Sequence, residues 1–168
     1  MNYDAWDIDY EENRDEYLKI FDKVMSQNNH ESIQFPQLAN RKYSVPVSSA
    51  TDALHFSLLA CNIQPGDEVL VTDFSWISSA SCISMVGALP VFCDIDLESY
   101  HISFESIQRM VTPKTKALVY THLFGNMTDT TEILEFCKDH DIAFIEDAGQ
   151  SLGSSLNGIE AGSIGDCS

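Results

Sequence analysis

The sequence predicts an α/β fold in which a mostly parallel sheet is flanked by helices. From Lys42 to Gln150, short apolar runs typical of buried strands alternate with segments whose apolar residues recur at helical spacing. Turn residues such as Pro65-Gly66-Asp67 separate these segments. Strands that alternate with helices form βα units and hence parallel sheets. With 168 residues, the chain is long enough for one domain with a sizeable core.

The first 41 residues differ in composition from the rest, and we predict that they form a separate region. Residues 1–16 are rich in acidic side chains, and we interpret them as a poorly ordered amino-terminal arm. Apolar residues at helical spacing predict a short amphipathic helix over Tyr17–Met25, and Phe35–Arg41 is a second short helix candidate. The predicted division is therefore 1–41, an acidic arm with short helices, and 42–168, a sheet-containing domain.

From Lys42 onwards the predicted elements follow one another regularly. Strands are assigned to short apolar runs, and helices to segments bounded by turn or capping residues. The predicted strands are Tyr43–Val47, Glu68–Thr72, Pro90–Ile95, Ala117–Thr121 and Ile142–Ile145. The predicted helices are Asp52–Cys61, Ile77–Val86, Phe104–Met110 and Thr128–His140. After Gln150 the chain is rich in Gly and Ser, and no element is predicted there.

Charge and cysteine usage narrow the classes of function. Nine basic and 26 acidic side chains give a net charge of −17, which disfavours binding to nucleic acid or to an anionic membrane. No apolar run is long enough to span a bilayer. The five cysteines form no CxxC pair and the amino terminus is acidic rather than a signal peptide, so we expect reduced thiols and a cytoplasmic location.

Two motifs follow predicted strands and can serve a ligand. Ser49-Ala50-Thr51 precedes a helix, so small residues, free N–H groups and a hydroxyl can approach a phosphate. The alternative is a simple helix cap by Ser49 or Thr51. In Asp73-Phe74-Ser75-Trp76, an aromatic at the end of a strand can stack on a flat ligand, although core or interface packing is as common.

The run Ile142–Ile145 ends in Glu146 and Asp147 and places acids where open α/β sheets bind ligands. An acid there can contact a ribose, hold a metal, cap a helix, form a salt bridge or neutralise a cationic heterocycle. A carboxylate beside a pyridine nitrogen favours the protonated ring, which withdraws electrons as in pyridoxal phosphate. Gln150 lies three residues after Asp147 and can donate a hydrogen bond to such a ring's oxygen.

The chain resembles the sugar aminotransferases of the DegT/DnrJ/EryC1/StrS family, which are pyridoxal-phosphate enzymes of fold type I. The resemblance covers the chain almost continuously from Lys42 to Asp166, through KYSVPVSSATDALHFSLLA, GDEVLVTDFSWISSASCISMVGALPVFCDID, TPKTKALVYTHLFGNMTD and IAFIEDAGQSLGSSLNGIEAGSIGD. It implies pyridoxal 5'-phosphate as cofactor. It implies that Ala50 and Thr51 contact the phosphate, Trp76 stacks on the ring, Asp147 pairs with the pyridinium nitrogen and Gln150 contacts the phenolic oxygen.

The same resemblance implies that the lysine forming the Schiff base lies beyond Ser168, shortly after a G-D-x-x-x-F-S-F segment. No catalytic residue is therefore expected within the chain, because none of its lysines matches that position: Lys19, Lys23, Lys42, Lys114, Lys116 and Lys138. Residues 42–168 are expected to be a partial large domain that lacks the final strands and the small domain. Tyr43–Val47 is then expected to lack its neighbouring strand.

The resemblance implies the amino-terminal part of an aminotransferase for a nucleotide-linked keto sugar, with glutamate as amino donor, that is not catalytic alone. A homo-oligomer, or a carboxy-terminal partner chain, is expected. Two alternatives stay open: a noncatalytic family remnant or partner subunit, and a lysine-lacking sugar dehydratase of the family. A Rossmann dehydrogenase is disfavoured because the G-x-G-x-x-G motif is missing. No set of His, Cys and Asp residues has the spacing of metal ligands. His122 is expected to be structural.

Overall fold

The computed structural model of the chain describes residues 39–168. The helix predicted over Tyr17–Met25 and most of the one predicted over Phe35–Arg41 lie outside the described residues. The described end of the second, Ala39–Arg41, begins with a turn and is not helical. The division of the chain at residue 41 stays a prediction.

The part of the chain that the structure describes forms a main sheet of four strands, all parallel, in the order β2-β1-β3-β4. The strands are β1 Glu68–Thr72, β2 Leu89–Cys93, β3 Thr115–Thr121 and β4 Ala143–Asp147. In β1, the four residues Val69–Thr72 are buried, as expected of a strand covered by helices on both faces. The α/β fold with a parallel sheet and flanking helices is confirmed.

Within residues 39–168, four α-helices connect and cover the strands. They are α1 Ala50–Ala60, α2 Ser78–Met85, α3 Phe104–Met110 and α4 Thr131–Asp139. Serine hydroxyls cap the amino-terminal ends of two of these helices. Ser49 accepts from the N–H of Asp52 at the start of α1, and Ser103 accepts from that of Ser106 at the start of α3. None of the helices in residues 39–168 has the length and apolar character needed to cross a membrane.

Side chains alternate across the sheet and form two cores. On one face, Val71, Val119 and Ile145 pack with residues of α1 and α2. On the other, Leu118 and Phe144 pack with residues of α3 and α4. Neighbouring residues of one strand therefore serve opposite layers of the domain.

The prediction of a strand over Tyr43–Val47 is wrong for this structure. The segment pairs with no strand among residues 39–168. Its alternate side chains are exposed, 76% for Tyr43 and 80% for Val45. A run of strand-forming residues builds a ladder only when a neighbouring strand accepts its hydrogen bonds, and no strand among residues 39–168 does so here.

The other boundaries agree with the prediction to within a few residues, and two elements match fully, Glu68–Thr72 and Phe104–Met110. The predicted strand Ile142–Ile145 extends to Asp147, so both acids lie within β4. The predicted helix over Thr128–His140 begins only at Thr131. These shifts are at element ends, where local propensity decides least.

A small antiparallel hairpin follows the sheet and was not predicted. It consists of β5 Ser155–Leu156 and β6 Ile159–Glu160. Its turn, Asn157-Gly158, has positive φ at both residues, 53° and 81°. Asn-Gly is the strongest short-range signal for such a turn, so the hairpin was detectable within the Gly- and Ser-rich stretch.

The chain then returns to the open edge of β4. Cys167 forms a parallel bridge with Ile145 and accepts the N–H of Glu146 at 2.9 Å. Asp166 donates its N–H to the carbonyl of Phe144 at 2.8 Å. Residues 166–167 thus pair with β4 on the edge opposite β3.

Replacing Gly165 with alanine is expected to lower the free energy of unfolding by about 3 kcal/mol or more, through left-handed backbone strain and overpacking. Gly165 has a φ of +72°, and an added Cβ would lie 2.5 Å from the carbonyl oxygen of Phe144. Gly158→Ala is the matched control, because its φ is +81° and nothing lies within 4 Å of an added Cβ. The control should lose only about 1 kcal/mol. Urea unfolding followed by circular dichroism measures both; equal losses would contradict the close packing at Gly165.

Candidate active site

The candidate site lies where the carboxyl ends of β3 and β4 meet the first turns of α1 and α2. A chain of hydrogen bonds joins these elements. The hydroxyl of Thr51 in α1 donates to that of Ser78 in α2 at 2.8 Å. The neighbouring Ser79 donates to Asp147 of β4 at 3.1 Å. Ligands of open α/β sheets bind at such an edge.

Asp147 is the best-defined acid of the site. Its Oδ2 accepts from the hydroxyls of Ser79, at 3.1 Å, and Thr121, at 3.3 Å. Its Oδ1 accepts the N–H of Gly149 at 3.2 Å. Three neutral donors thus orient a half-buried carboxylate without cancelling its charge.

No cation neutralises Asp147 among residues 39–168. The ion pairs there join Arg41 and His122 to Glu146, and Arg109 to Asp94. The negative charge acts on its surroundings: burial and then Asp147 raise the pKa of the Cys82 thiol to about 11. The site therefore favours a positively charged group beside Asp147.

The first turn of α1 supplies backbone donors. Because Ser49 caps the helix through the N–H of Asp52, the N–H groups of Ala50 and Thr51 have no partner within the helix. Hydrogen bonds from Ser48 and Ser49 lower the pKa of the Asp52 carboxyl, which stays anionic beside them. An anion at this turn thus depends on the N–H groups and hydroxyls, with no basic side chain in the turn.

Gly149 brings the α1 turn and Asp147 together. A Cβ added to Gly149 would lie 3.5 Å from the Cβ of Ala50 and 3.2 Å from Oδ1 of Asp147. The glycine thus keeps the loop after β4 in contact with the start of α1. A ligand with an anionic and a cationic end can be held by both elements at once.

Trp76 lies two residues before the start of α2, and its carbonyl accepts the N–H of Ser79 at 3.1 Å. Its side chain is 72% exposed. The aromatic is therefore not part of the core of residues 39–168, which removes core packing as the alternative to ligand stacking. Interface packing stays open.

Gln150 is held by the turn that follows β3. Its Oε1 accepts the N–H of Phe124 at 2.9 Å. Phe124 has a positive φ of 58° within the 3-10 turn Leu123–Gly125. With its oxygen engaged, Gln150 keeps its NH2 group as the donor for a ligand.

Glu146 lies on the opposite face of β4 and is fully buried. Its Oε1 accepts from His122 Nε2 at 2.8 Å and from the N–H of Gly162 at 2.7 Å. Its Oε2 accepts the N–H of Ile164 at 2.8 Å. Glu146 thus organises the loop after the hairpin rather than the ligand, and His122 is structural, as expected.

Arg41 completes this arrangement from the described start of the chain. Its guanidinium donates to the carbonyls of Gly162, at 2.7 Å, and Gly165, at 2.8 Å, and also to that of Ile164. Its Nη2 atom is 3.9 Å from Glu146 Oε2. Arg41 and Glu146 hold the loop 162–165 from both sides. Sequence reasoning gave Arg41 no role and placed Glu146 with Asp147 at the ligand-binding end of the strand.

These observations fit pyridoxal phosphate. A half-buried acid without a cationic partner suits the pyridinium, free N–H groups at α1 suit the phosphate, and the Gln150 amide suits a ring oxygen. The five predicted residues, Ala50, Thr51, Trp76, Asp147 and Gln150, thus surround one edge of the sheet, but their contacts with a cofactor stay predictions. The hydroxyls of Ser78, Ser79 and Thr121 were missed, although Ser78 and Ser79 follow Trp76 in a run of small residues.

The sequence of residues 26–168 matches the family model of the DegT/DnrJ/EryC1/StrS aminotransferase family. The GDP-perosamine synthase of Caulobacter vibrioides is 36% identical over 133 residues, which are 79% of this chain and 36% of that protein. This chain therefore spans little more than a third of that relative's length.

Solved structures of similar sequence share the fold. The chain matches S. venezuelae DesV with a TM-score of 0.83 and 29% identity, covering 93% of this chain and 44% of DesV. It matches a GDP-4-keto-6-deoxymannose-3-dehydratase, solved with a trapped PLP-glutamate geminal diamine, with a TM-score of 0.73 and 32% identity. That match covers 79% of this chain and 36% of the dehydratase.

Proposed function

We propose that this chain, which belongs to the DegT/DnrJ/EryC1/StrS aminotransferase family, forms the amino-terminal part of a pyridoxal-phosphate-dependent aminotransferase. The observation that carries the proposal is Asp147, a half-buried carboxylate oriented by Ser79, Thr121 and Gly149 and without a cationic partner in residues 39–168. The substrate is a nucleotide-linked keto sugar and glutamate is the amino donor. The names of the GDP-perosamine synthase and of the dehydratase with its PLP-glutamate adduct support both assignments.

Each residue of the site has a separate task. The N–H groups of Ala50 and Thr51, with the Ser78 hydroxyl, bind the phosphate. Asp147 holds a proton on the pyridine nitrogen, because its negative charge favours the cationic ring. Gln150 donates to the ring oxygen and Trp76 covers one face of the ring. When bound, the cofactor supplies an electron sink for a carbanion at the substrate carbon.

The lysine of this reaction comes from the carboxy-terminal remainder of the enzyme, in the same polypeptide or in a partner chain. Residues 42–168 accordingly form part of the large domain, and the active enzyme is a homo-oligomer or a complex with that partner. We place the enzyme in the reducing cytoplasm, because its five cysteines are scattered and form no CxxC pair.

The test is complementation. The chain is co-expressed with the carboxy-terminal remainder of the Caulobacter GDP-perosamine synthase and is supplied with a GDP-linked 4-keto sugar and ¹⁵N-labelled glutamate. Mass spectrometry should detect a sugar product that carries ¹⁵N. The remainder expressed alone is the control. A complex that assembles and binds pyridoxal phosphate but transfers no label would contradict the assignment.

A lysine-lacking sugar dehydratase is the second candidate, favoured by the similarity to the GDP-4-keto-6-deoxymannose-3-dehydratase. The two activities leave different products, because the dehydratase product has lost water and carries no label. Complementing the chain with the remainder of that dehydratase, in a parallel reaction, tests this function directly. Label in the product with the first remainder and no dehydration with the second would assign the chain to the aminotransferases.

A further inference from the structure

We propose that Cys61 and Cys167 form a reversible disulfide, which makes the junction of α1 with the edge of β4 a thiol-oxidation site. Their sulfur atoms are 3.7 Å apart, although 106 positions separate the residues in sequence. Within residues 39–168, the other cysteine sulfurs that make hydrogen bonds, those of Cys82 and Cys93, contact backbone carbonyls rather than a second sulfur. A disulfide needs an S–S distance of about 2 Å. The 3.7 Å separation of the two sulfur atoms must therefore shorten by nearly half.

The backbone on both sides holds the pair in place. Cys61 ends α1, and its N–H donates to the carbonyl of Ser57 at 2.9 Å. Cys167 is bridged to Ile145, and its carbonyl accepts the N–H of Glu146 at 2.9 Å. The contact therefore follows from the packing of α1 against the edge of the sheet, not from two mobile loops.

Both thiols are accessible to a small oxidant. Cys61 and Cys167 are half-buried and line a groove of about 950 Å³, whereas Cys82, Cys93 and Cys137 are buried. Cys137 also lines the groove, but its sulfur makes no contact with that of Cys61 or Cys167. Geometry and access thus select one of the possible pairs.

The reaction is a thiol–disulfide exchange with glutathione disulfide. The Cys167 thiolate attacks glutathione disulfide, which forms a mixed disulfide and releases one glutathione. The Cys61 thiolate then attacks the Cys167 sulfur, which forms the Cys61–Cys167 bond and releases the second glutathione. The two cysteines lose two electrons, the oxidant gains them, and the two thiol protons pass through solvent to the released glutathiones.

The second step is slow near neutral pH. Burial raises the pKa of the Cys61 thiol, and the nearby Asp166 carboxylate raises it further; both causes persist once Cys167 is in the mixed disulfide. Only the thiolate is nucleophilic, so little of Cys61 is reactive at pH 7. Cross-linking therefore speeds up as the pH rises.

The test is oxidation of the folded full chain with glutathione disulfide at pH 8.5, followed by alkylation, digestion without reductant and mass spectrometry. The expected result is a Cys61–Cys167 peptide that dithiothreitol removes. Oxidation should also raise the Tm by about 5–15 °C, because the bridge closes a long loop. Cys61→Ser and Cys167→Ser should each lose both effects, and Cys82→Ser should keep them.

Two results would overturn the proposal. One is a chain that stays folded and forms no cross-link after prolonged oxidation. The other is a cross-link that joins Cys137 to either cysteine in preference to the proposed pair. If a serine variant fails to fold, Cys61→Ala and Cys167→Ala replace it, and the peptide map of the unmodified sequence decides the pairing without any variant.

Discussion

Replacing Glu146 with alanine is expected to lower the free energy of unfolding by about 3–5 kcal/mol, the usual cost of removing one partner of a buried ionic network. The side chain is fully buried, and its two oxygens accept from His122, Gly162 and Ile164. Alanine would leave the N–H groups of Gly162 and Ile164 buried without an acceptor. It would also leave Arg41 without its carboxylate.

Urea unfolding monitored by circular dichroism measures the loss. Glu98→Ala removes the same charge from an exposed position and should change stability by less than about 0.5 kcal/mol. If Glu146→Ala does not fold, Glu146→Gln keeps the shape and one acceptor, so an intermediate loss is expected. A Glu146→Ala protein as stable as the Glu98→Ala control would show that the loop 162–165 does not depend on this carboxylate.

The roles of the two adjacent acids illustrate how far sequence reasoning reaches. The run Ile142–Ile145 predicted a buried strand that ends in acids, and the structure places both acids at the end of β4. Because side chains alternate along a strand, two adjacent acids must face opposite sides of the sheet. This rule was available from the sequence. The partners of Glu146 were not, since Arg41, Gly162 and Ile164 lie 105, 16 and 18 positions away, respectively.

The fold was predictable because local patterns decide it, and the errors occur where a neighbour decides instead. Tyr43–Val47 has strand-forming residues, but strand formation needs a second strand, which residues 39–168 do not offer. The hairpin at Ser155–Glu160 has weak strand propensity and forms because its Asn-Gly turn closes it. Pairing partners and turn geometry therefore account for both errors.

The residue types of the site could be predicted from the sequence, but the hydrogen bonds and close contacts between those residues could not. Asp147 ends β4 and Trp76 follows β1, so their placement at one edge of the sheet follows from parallel topology. The turn at Ala50 and Thr51 follows no strand among residues 39–168, so topology alone did not place it there. The hydrogen bonds that orient Asp147 come from Ser79 and Thr121, whose hydroxyls carry no distinctive sequence signal. Likewise, the close approach of Gly149 to Ala50 became visible only in the packed structure.

Replacing Asp147 with asparagine is expected to reduce amino transfer by the complemented enzyme at least about 10²-fold, the cost of removing a preorganised electrostatic group from a site of reaction. Asparagine keeps the shape of the side chain, and the hydroxyls of Ser79 and Thr121 can rotate to suit either end of its amide. The loss of activity should therefore occur with little loss of stability.

Asp73→Asn is the matched control, because Asp73 is an exposed acid at the end of β1, on the same edge of the sheet. It should retain activity close to that of the unmodified sequence. A second readout is independent of turnover: pyridoxamine 5'-phosphate, which needs no lysine to bind, is titrated calorimetrically into the complemented enzyme. Asp147→Asn should weaken its binding and Asp73→Asn should not. Unchanged activity and unchanged affinity in Asp147→Asn would show that its charge does not act on the cofactor ring, because the neutral amide then serves as well as the carboxylate.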